Sequence, residues 1–126
     1  MRVLITGITG MVGSHLAEHI LARPSGVEVH GLLRWRSPRE NIAAIASRVV
    51  LHEGDLRDLH SLVTVLKAAR PDRIFHLAAQ SYVTVSFVAP ADTLATNVVG
   101  TTNLLDAVRL TGLSPRIHIC SSSEVY

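Results

Sequence analysis

The sequence predicts a doubly wound α/β fold with a parallel sheet, and three observations carry that prediction. Apolar runs alternate with helical patterns five times along the 126 residues. The runs are nearly continuous in Val, Ile and Leu, as expected of strands buried on both faces. The first run ends in three glycines spaced three apart, Gly7, Gly10 and Gly13, and a helical pattern follows at once. Alternating strands and helices imply parallel pairing through right-handed crossovers, and the natural strand order is 3-2-1-4-5.

The elements follow in order. Val3 to Thr6 reads as the first strand. Met11 to Ala22 has helical periodicity, with Val12, Leu16, Ile20 and Leu21 near one face, and Pro24-Ser25-Gly26 ends it. Val27 to Leu33 is a second strand, Arg34 to Asn41 a polar loop and Asn41 to Ser47 a short helix. Val49 to Leu51 is strand three, closed by Glu53-Gly54-Asp55. Leu59 to Ala69 is a helix with Leu62, Val65 and Leu66 inward, and Asp58 suits its N-cap. Arg73 to Leu77 is strand four, and Ala78 to Pro90 a long connection. A helix from about Ala91 to Leu110 carries an apolar stripe of Leu94, Val98, Leu105 and Val108, with Gly112 as its C-terminal cap. Arg116 to Cys120 is strand five.

Composition narrows the function. Hydrophobic content of 48% with 17% charged residues reads as one globular domain with much buried sheet. Net charge is +2 and the basic residues are scattered apart from Arg34, Arg36 and Arg39, so no nucleic-acid surface is expected. No run of apolar residues is long enough to span a membrane, and Met1 leads straight into a strand rather than a signal peptide. The single cysteine, Cys120, cannot form an internal disulfide, which fits a cytoplasmic setting; its apolar run predicts a buried thiol rather than a nucleophile. The seven histidines show no metal-ligand spacing.

The chemistry gathers at the carboxyl ends of the strands. After strand one, Gly7 permits a tight turn, Gly10 lets backbone approach a pyrophosphate, and Gly13 lets the helix pack on the strand. The helix N-terminus around Thr9, Met11 and Val12 then offers free N–H groups to phosphates. This makes a Rossmann-type dinucleotide site, although the spacing is G-x-x-G-x-x-G. About 20 residues beyond the last glycine, an NAD site places an acid against the ribose 2′-hydroxyl. Leu33 stands there instead, followed by Arg34 and Arg36. Two guanidiniums would clamp a 2′-phosphate, so the expected cofactor is NADP, with NAD the alternative. Glu28 sits too early in strand two to reach the ribose. After strand three, Asp55 could accept from an adenine amine and Leu56 could pack on the ring. After strand four, Leu77-Ala78-Ala79 and Ser81 keep small groups beside the cofactor, while His76 reads as a structural core residue. After strand five, Ser121-Ser122-Ser123-Glu124 presents hydroxyls and a carboxylate. A hydroxyl there can bond a carbinol or ketone, and a carboxylate can remove a proton alpha to a ketone.

With these residues in view, the chain resembles the extended short-chain dehydrogenase/reductase family, which acts on nucleotide sugars. Thr6 to Gly13, Gly54 to Asp58, Leu77-Ala78-Ala79, Asn97 to Thr101 and Ser121 to Tyr126 carry the resemblance. Within the family it is most similar to the GDP-mannose 4,6-dehydratases, on Glu28 to Arg34, Ala79 to Phe87 and Ser122 to Tyr126. The resemblance implies NADP as a recycled hydride carrier, Ser122 as the hydroxyl on the sugar C4 oxygen and Glu124 as the C5 base. It implies Ser86 as a residue lining the sugar-nucleotide cleft, and a homo-oligomer for the full-length protein. Ser122 stands where the family has Thr, and Trp35 where it has a basic or small residue. Epimerases and GDP-4-keto-6-deoxymannose reductases of the same family fit nearly as well. The family's Tyr-x-x-x-Lys acid/base pair has no counterpart: the tyrosines are Tyr82 and Tyr126, and the lysine is Lys67. The expectation is therefore the N-terminal part of a dinucleotide-binding domain, residues 1–126, stopping after strand five and short of the catalytic pair and the substrate domain. Such a chain alone is expected to be inactive, with strand five an open edge. Taken literally, the missing pair would instead fit a non-catalytic NADP-binding module.

Overall fold

A computed structural model describes residues 1–24 and 26–122. Five parallel strands, β1 (Arg2–Thr6), β2 (Glu28–Leu33), β3 (Val49–Glu53), β4 (Arg73–His76) and β5 (Arg116–Ile119), form one sheet in the order β3-β2-β1-β4-β5. This is the Rossmann-type order expected, with the strand order reversing between β1 and β4 while every pair stays parallel.

Alternation along β1 divides the core. Val3 and Ile5 face one layer, with Val29, Ala17, Ile42 and Ile45. Leu4 faces the other, with Leu32, Ile74, Leu62, Leu66, Leu104 and Ala107. Helix α1 (Met11–Leu21) buries Gly13, Ser14 and Ala17 against the sheet. Val12, expected inward, is 59% exposed. The smallest side chains take the contact because the backbone itself lies on β1, and that rotates Val12 outward. The expected helix over 41–47 is instead two 3-10 turns, Glu40–Ile42 and Ala46–Arg48, which seat Ile42 and Ile45 in the core.

Helix α2 (Leu59–Ala69) has the bounds and inward face expected, and the Asp58 carboxylate accepts from the His60 and Ser61 N–H groups as its N-cap. Arg70 ends it in the left-handed region at φ 43°.

The segment between β4 and β5 departs more. The connection contains a short helix, α3 (Val83–Val88), and the long helix is interrupted. It runs as α4 (Pro90–Leu94), a π turn over Ala95–Val99, and α5 (Gly100–Thr111), capped by Gly112 at φ 65°. The π turn accommodates one extra residue, and each residue is about 100° of helix. The expected stripe is thereby split: Leu94, Val98 and Leu105 are exposed, whereas Gly100, Leu104 and Ala107 are buried. Gly100 is needed at this junction, since a Cβ there would stand 2.8 Å from the Leu56 Cβ.

Strand β5 is the edge expected. No position along it is fully buried, and Cys120, expected in the core, is exposed, since it directly follows the edge strand of the described sheet.

Candidate functional site

The glycine turn is built by contact distances. Gly7 has φ +72°, and a Cβ on it would lie 2.9 Å from the Ala78 backbone. A Cβ on Gly13 would lie 2.2 Å from the Gly7 carbonyl oxygen, so α1 touches the turn that follows β1 backbone to backbone. Gly10 differs: its Cβ would meet only the Gly7 oxygen, at 3.3 Å, with otherwise open space. The Gly10 N–H donates to that oxygen at 3.0 Å and closes the turn. Gly10 then serves as N-cap of α1 with no side chain capping it and no acid in the first turn. The first amides of a helix have no intrahelical acceptor, so those of Met11, Val12 and Gly13 point outward at the positive end of the dipole. An anion with little bulk beside Gly10 fits this cradle. Asn41 steadies it by donating to the Thr9 carbonyl at 2.9 Å.

Beside the turn, β1 and β4 are joined by buried polar groups. The Thr6 hydroxyl oxygen accepts from the Leu77 and Ala78 N–H groups, each at 3.1 Å. The same oxygen lies 2.8 Å from His76 Nδ1, and His76 Nε2 lies 2.9 Å from the Thr101 hydroxyl. Thr101 donates to the Asn97 carbonyl at 2.7 Å. The Asn97 side chain grips the Gln80 backbone twice, accepting from its N–H at 2.8 Å and donating to its carbonyl at 2.9 Å. Burial pushes the His76 imidazole below its ordinary value and keeps it neutral.

A second feature opens beyond β2 and β3. A cleft of about 520 Å³ is lined by Arg34, Trp35, Arg36, Asp55, Arg57 and Ser61, among others. Leu33 is buried, so no carboxylate projects from that position, and Glu28 lies at the far end of β2, paired with Arg2. The Arg36 guanidinium lies over the Trp35 ring, 4.4 Å from its centroid. Asp55 accepts from the Arg57 backbone N–H at 2.9 Å and pairs with its guanidinium at 3.1 Å. Arg57 also reaches Asp92 on α4 at 2.9 Å. Hydrogen bonding from Arg57, partly opposed by burial, holds the Asp55 carboxyl below its ordinary range. The glycine turn and the basic cleft lie at the carboxyl ends of the strands, the edge at which doubly wound sheets in general take up ligands.

The family model for GDP-mannose 4,6 dehydratase matches residues 4–126. The chain belongs to the GDP-mannose 4,6-dehydratase family. It is 39% identical over 140 aligned residues to a GDP-mannose 4,6-dehydratase of Vibrio cholerae, covering 99% of this chain and 36% of that protein. It is 40% identical over 138 residues to the human GDP-mannose 4,6 dehydratase, covering 98% of this chain and 36% of that protein. The chain thus spans about a third of the length of these relatives. Among solved structures, it is similar to the UDP-glucose 4-epimerase of Thermus thermophilus in complex with NAD, at 39% identity and TM-score 0.78 over 90% of this chain and 35% of that one. It is also similar to the UDP-glucose 4-epimerase of Thermotoga maritima with UDP-glucose, at 28% identity and TM-score 0.84 over 97% of this chain and 38% of that one.

Within this family member, the remaining expected residues divide. Leu77 and Ala78 are half-buried in the crevice between β1 and β4, and Ala79 and Ser81 are exposed beside it. Leu56 is packed in the core against Leu62 and Leu104, so its side chain is occupied there rather than offered to a ring. Ser86 lies on α3, where its hydroxyl donates to the Val83 carbonyl at 2.6 Å. Ser122 is exposed beyond β5, and Glu124 lies outside the described residues. No helix is long and apolar enough to cross a membrane among the described residues. Sequence reasoning missed Asn41, Arg57, Asn97 and Thr101. Asn97 and Thr101 were legible in principle: an amide and a hydroxyl four apart share one helix face.

Proposed function

We propose that this chain is the cofactor-binding region of an NADP-dependent GDP-mannose 4,6-dehydratase. The observation that carries the reading is an uncapped helix N-terminus behind a glycine that faces open space, beside Arg34 and Arg36. The α1 amides of Met11, Val12 and Gly13 hold the pyrophosphate. Arg34 and Arg36 take the 2′-phosphate through charge-assisted bonds. Asp55, kept ionised by Arg57, accepts from the adenine amine. Leu77, Ala78, Ala79 and Ser81 form a small-residue wall that lets the cofactor lie close. When bound, the cofactor supplies a hydride acceptor for sugar C4 and a hydride donor for C6.

Three further residues of the chain act on the sugar nucleotide. Ser122 hydrogen-bonds the C4 oxygen, and Ser86 lines the cleft for the sugar nucleotide. Glu124 removes the C5 proton once C4 is a ketone, and delivers a proton to the departing C6 hydroxyl, which leaves as water. The whole protein is read as a cytoplasmic homo-oligomer acting on GDP-mannose, with the Tyr-x-x-x-Lys pair supplied outside this chain. The 126-residue chain alone is expected not to turn over. The likeness to UDP-glucose 4-epimerases favours, as second reading, epimerisation at C4. That reaction has no use for a C5 base.

The test uses the protein that contains this chain, with GDP-mannose in deuterated water. A dehydratase yields GDP-4-keto-6-deoxymannose with deuterium at C5, and Glu124→Gln lowers the rate by about 10²–10⁴-fold. A C4 epimer that retains the C6 oxygen would overturn the reading in favour of the epimerase.

A further inference from the structure

The protons of the buried chain from Asn97 to Thr6 can be placed one by one. Thr101 has a single O–H, and it donates to the Asn97 carbonyl at 2.7 Å. Toward His76 the Thr101 oxygen can therefore only accept, so His76 Nε2 carries the hydrogen at 2.9 Å. A neutral imidazole then leaves Nδ1 as an acceptor, and the Thr6 O–H donates to it at 2.8 Å. With its hydrogen so directed, the Thr6 oxygen turns its lone pairs toward the Leu77 and Ala78 N–H groups. The Ala78 N–H has the Thr6 hydroxyl oxygen as its acceptor, whereas the Leu77 N–H is shared between that oxygen at 3.1 Å and the Thr6 carbonyl oxygen at 3.3 Å.

We propose that His76 is a positioning residue for the cofactor crevice: as the neutral Nε2–H tautomer it orients the Thr6 hydroxyl, which holds the Leu77–Ala78 backbone against Gly7. The inference rests on the reading that this crevice takes a dinucleotide. Ala78 is the segment closest to Gly7, with room for no Cβ between them. Moving it would open the floor between β1 and β4. A proton added at Nδ1 would face the Thr6 oxygen with a third N–H donor against two lone pairs, and one backbone contact would be lost. The groups that meet the imidazole are Thr6 from β1 and Thr101 from α5, neither of them charged. Ile119 is its register partner on β5. His118 packs on Phe75, at the neighbouring register position, and Cys120 reaches His76 through its backbone N–H.

The experiment is ¹⁵N NMR of the His76 ring with hydrogen exchange at the Leu77 and Ala78 amides, followed by titration with NADP. The expected result is a hydrogen on Nε2 and none on Nδ1, with both amides protected. In His76→Phe those two amides exchange about tenfold faster or more while the β1 amides are unchanged, and NADP binds about tenfold more weakly. His76→Asn, which restores an acceptor near Nδ1, recovers part of both. Thr101→Val, which removes the acceptor at Nε2, lets the other tautomer appear. A hydrogen on Nδ1 in the unmodified protein, or Leu77 and Ala78 exchange unaltered in His76→Phe, would overturn the proposal. Failure of the dinucleotide reading shows differently, as an unmodified protein with the stated tautomer that takes up neither NADP nor NAD.

Discussion

The two flanks of β1 are finished to different degrees. On the side of α1 and β2, five of the six β2 positions are buried, and in the glycine turn a Cβ added at Gly7, Gly10 or Gly13 would meet backbone atoms at 2.2–3.3 Å. On the side of α3 to β5, neither α3 nor α4 buries a residue fully, and Val83, Phe87, Val88, Leu94, Val98 and Ile119 are exposed. The difference teaches where each part of the function is encoded. The cradle proposed for phosphate needs amides and tight packing, and β1, the glycine turn and α1 supply both. The flank toward β5 exposes several large apolar side chains among the described residues. The buried hydrogen-bonded line from Thr6 through His76 and Thr101 to Asn97 ties that flank to the cradle.

The largest expected effect breaks the finished flank. Gly13→Ala forces a Cβ into the 2.2 Å gap to the Gly7 oxygen, and should cost about 3 kcal/mol or more in urea unfolding. Gly10→Ala, three residues earlier, should cost under about 1 kcal/mol, because only one atom stands in its way, yet should weaken NADP binding.

Acid sharpens the link between the flanks. His76 is lowered from its ordinary 6.5 by burial, and His52 by burial and then by the neighbouring His30. Between the folded and unfolded pKa values the unfolded chain binds more protons. Stability from these groups is therefore complete above about pH 6.5 and declines as pH falls toward the folded-state values. Thermal melts across that range should show it, and His76→Phe should flatten the slope.

Smaller effects follow. Asp58→Ala removes the two-amide cap of α2 and should lower stability by about 1 kcal/mol in thermal or urea unfolding. Leu105→Gln, on the unfinished flank, should shift stability by less than about 0.5 kcal/mol. It should nonetheless reduce the concentration-dependent association expected of the isolated chain, read by light scattering. A clean monomer of the unmodified chain would show that the exposed face does not drive contact.

Legibility in the sequence tracked the same divide. The β1–turn–α1 unit, the strand order and the bounds of α2 were readable because glycine spacing, apolar runs and an Asp cap are local signals. Val12 was misplaced because backbone contact at Gly13, which periodicity does not register, sets the rotation of α1. The stripe of Leu94, Val98 and Leu105 was misread because one extra residue in the π turn breaks the 3.6-residue phase. Cys120 was expected to be buried because an apolar run says nothing of whether a strand has a neighbour. Arg57 beside Asp55, and Asn97 beside Gln80, depend on pairs 2 and 17 residues apart in sequence that only the folded backbone aligns. The proposal of a 2′-phosphate site rests on a local signal in the sequence, Leu33 in place of an acid, followed by Arg34 and Arg36.

The central claim is that the finished flank binds a dinucleotide and that its two arginines select the phosphorylated one. Calorimetric titration of the protein with NADP and with NAD, repeated on an Arg34→Ala, Arg36→Ala double variant, tests it most directly. NADP should bind more tightly than NAD, and the double variant should lose about 100-fold for NADP but little for NAD, as removal of two charge-assisted contacts implies. Equal affinity for the two cofactors, or a double variant that still prefers NADP, would contradict it.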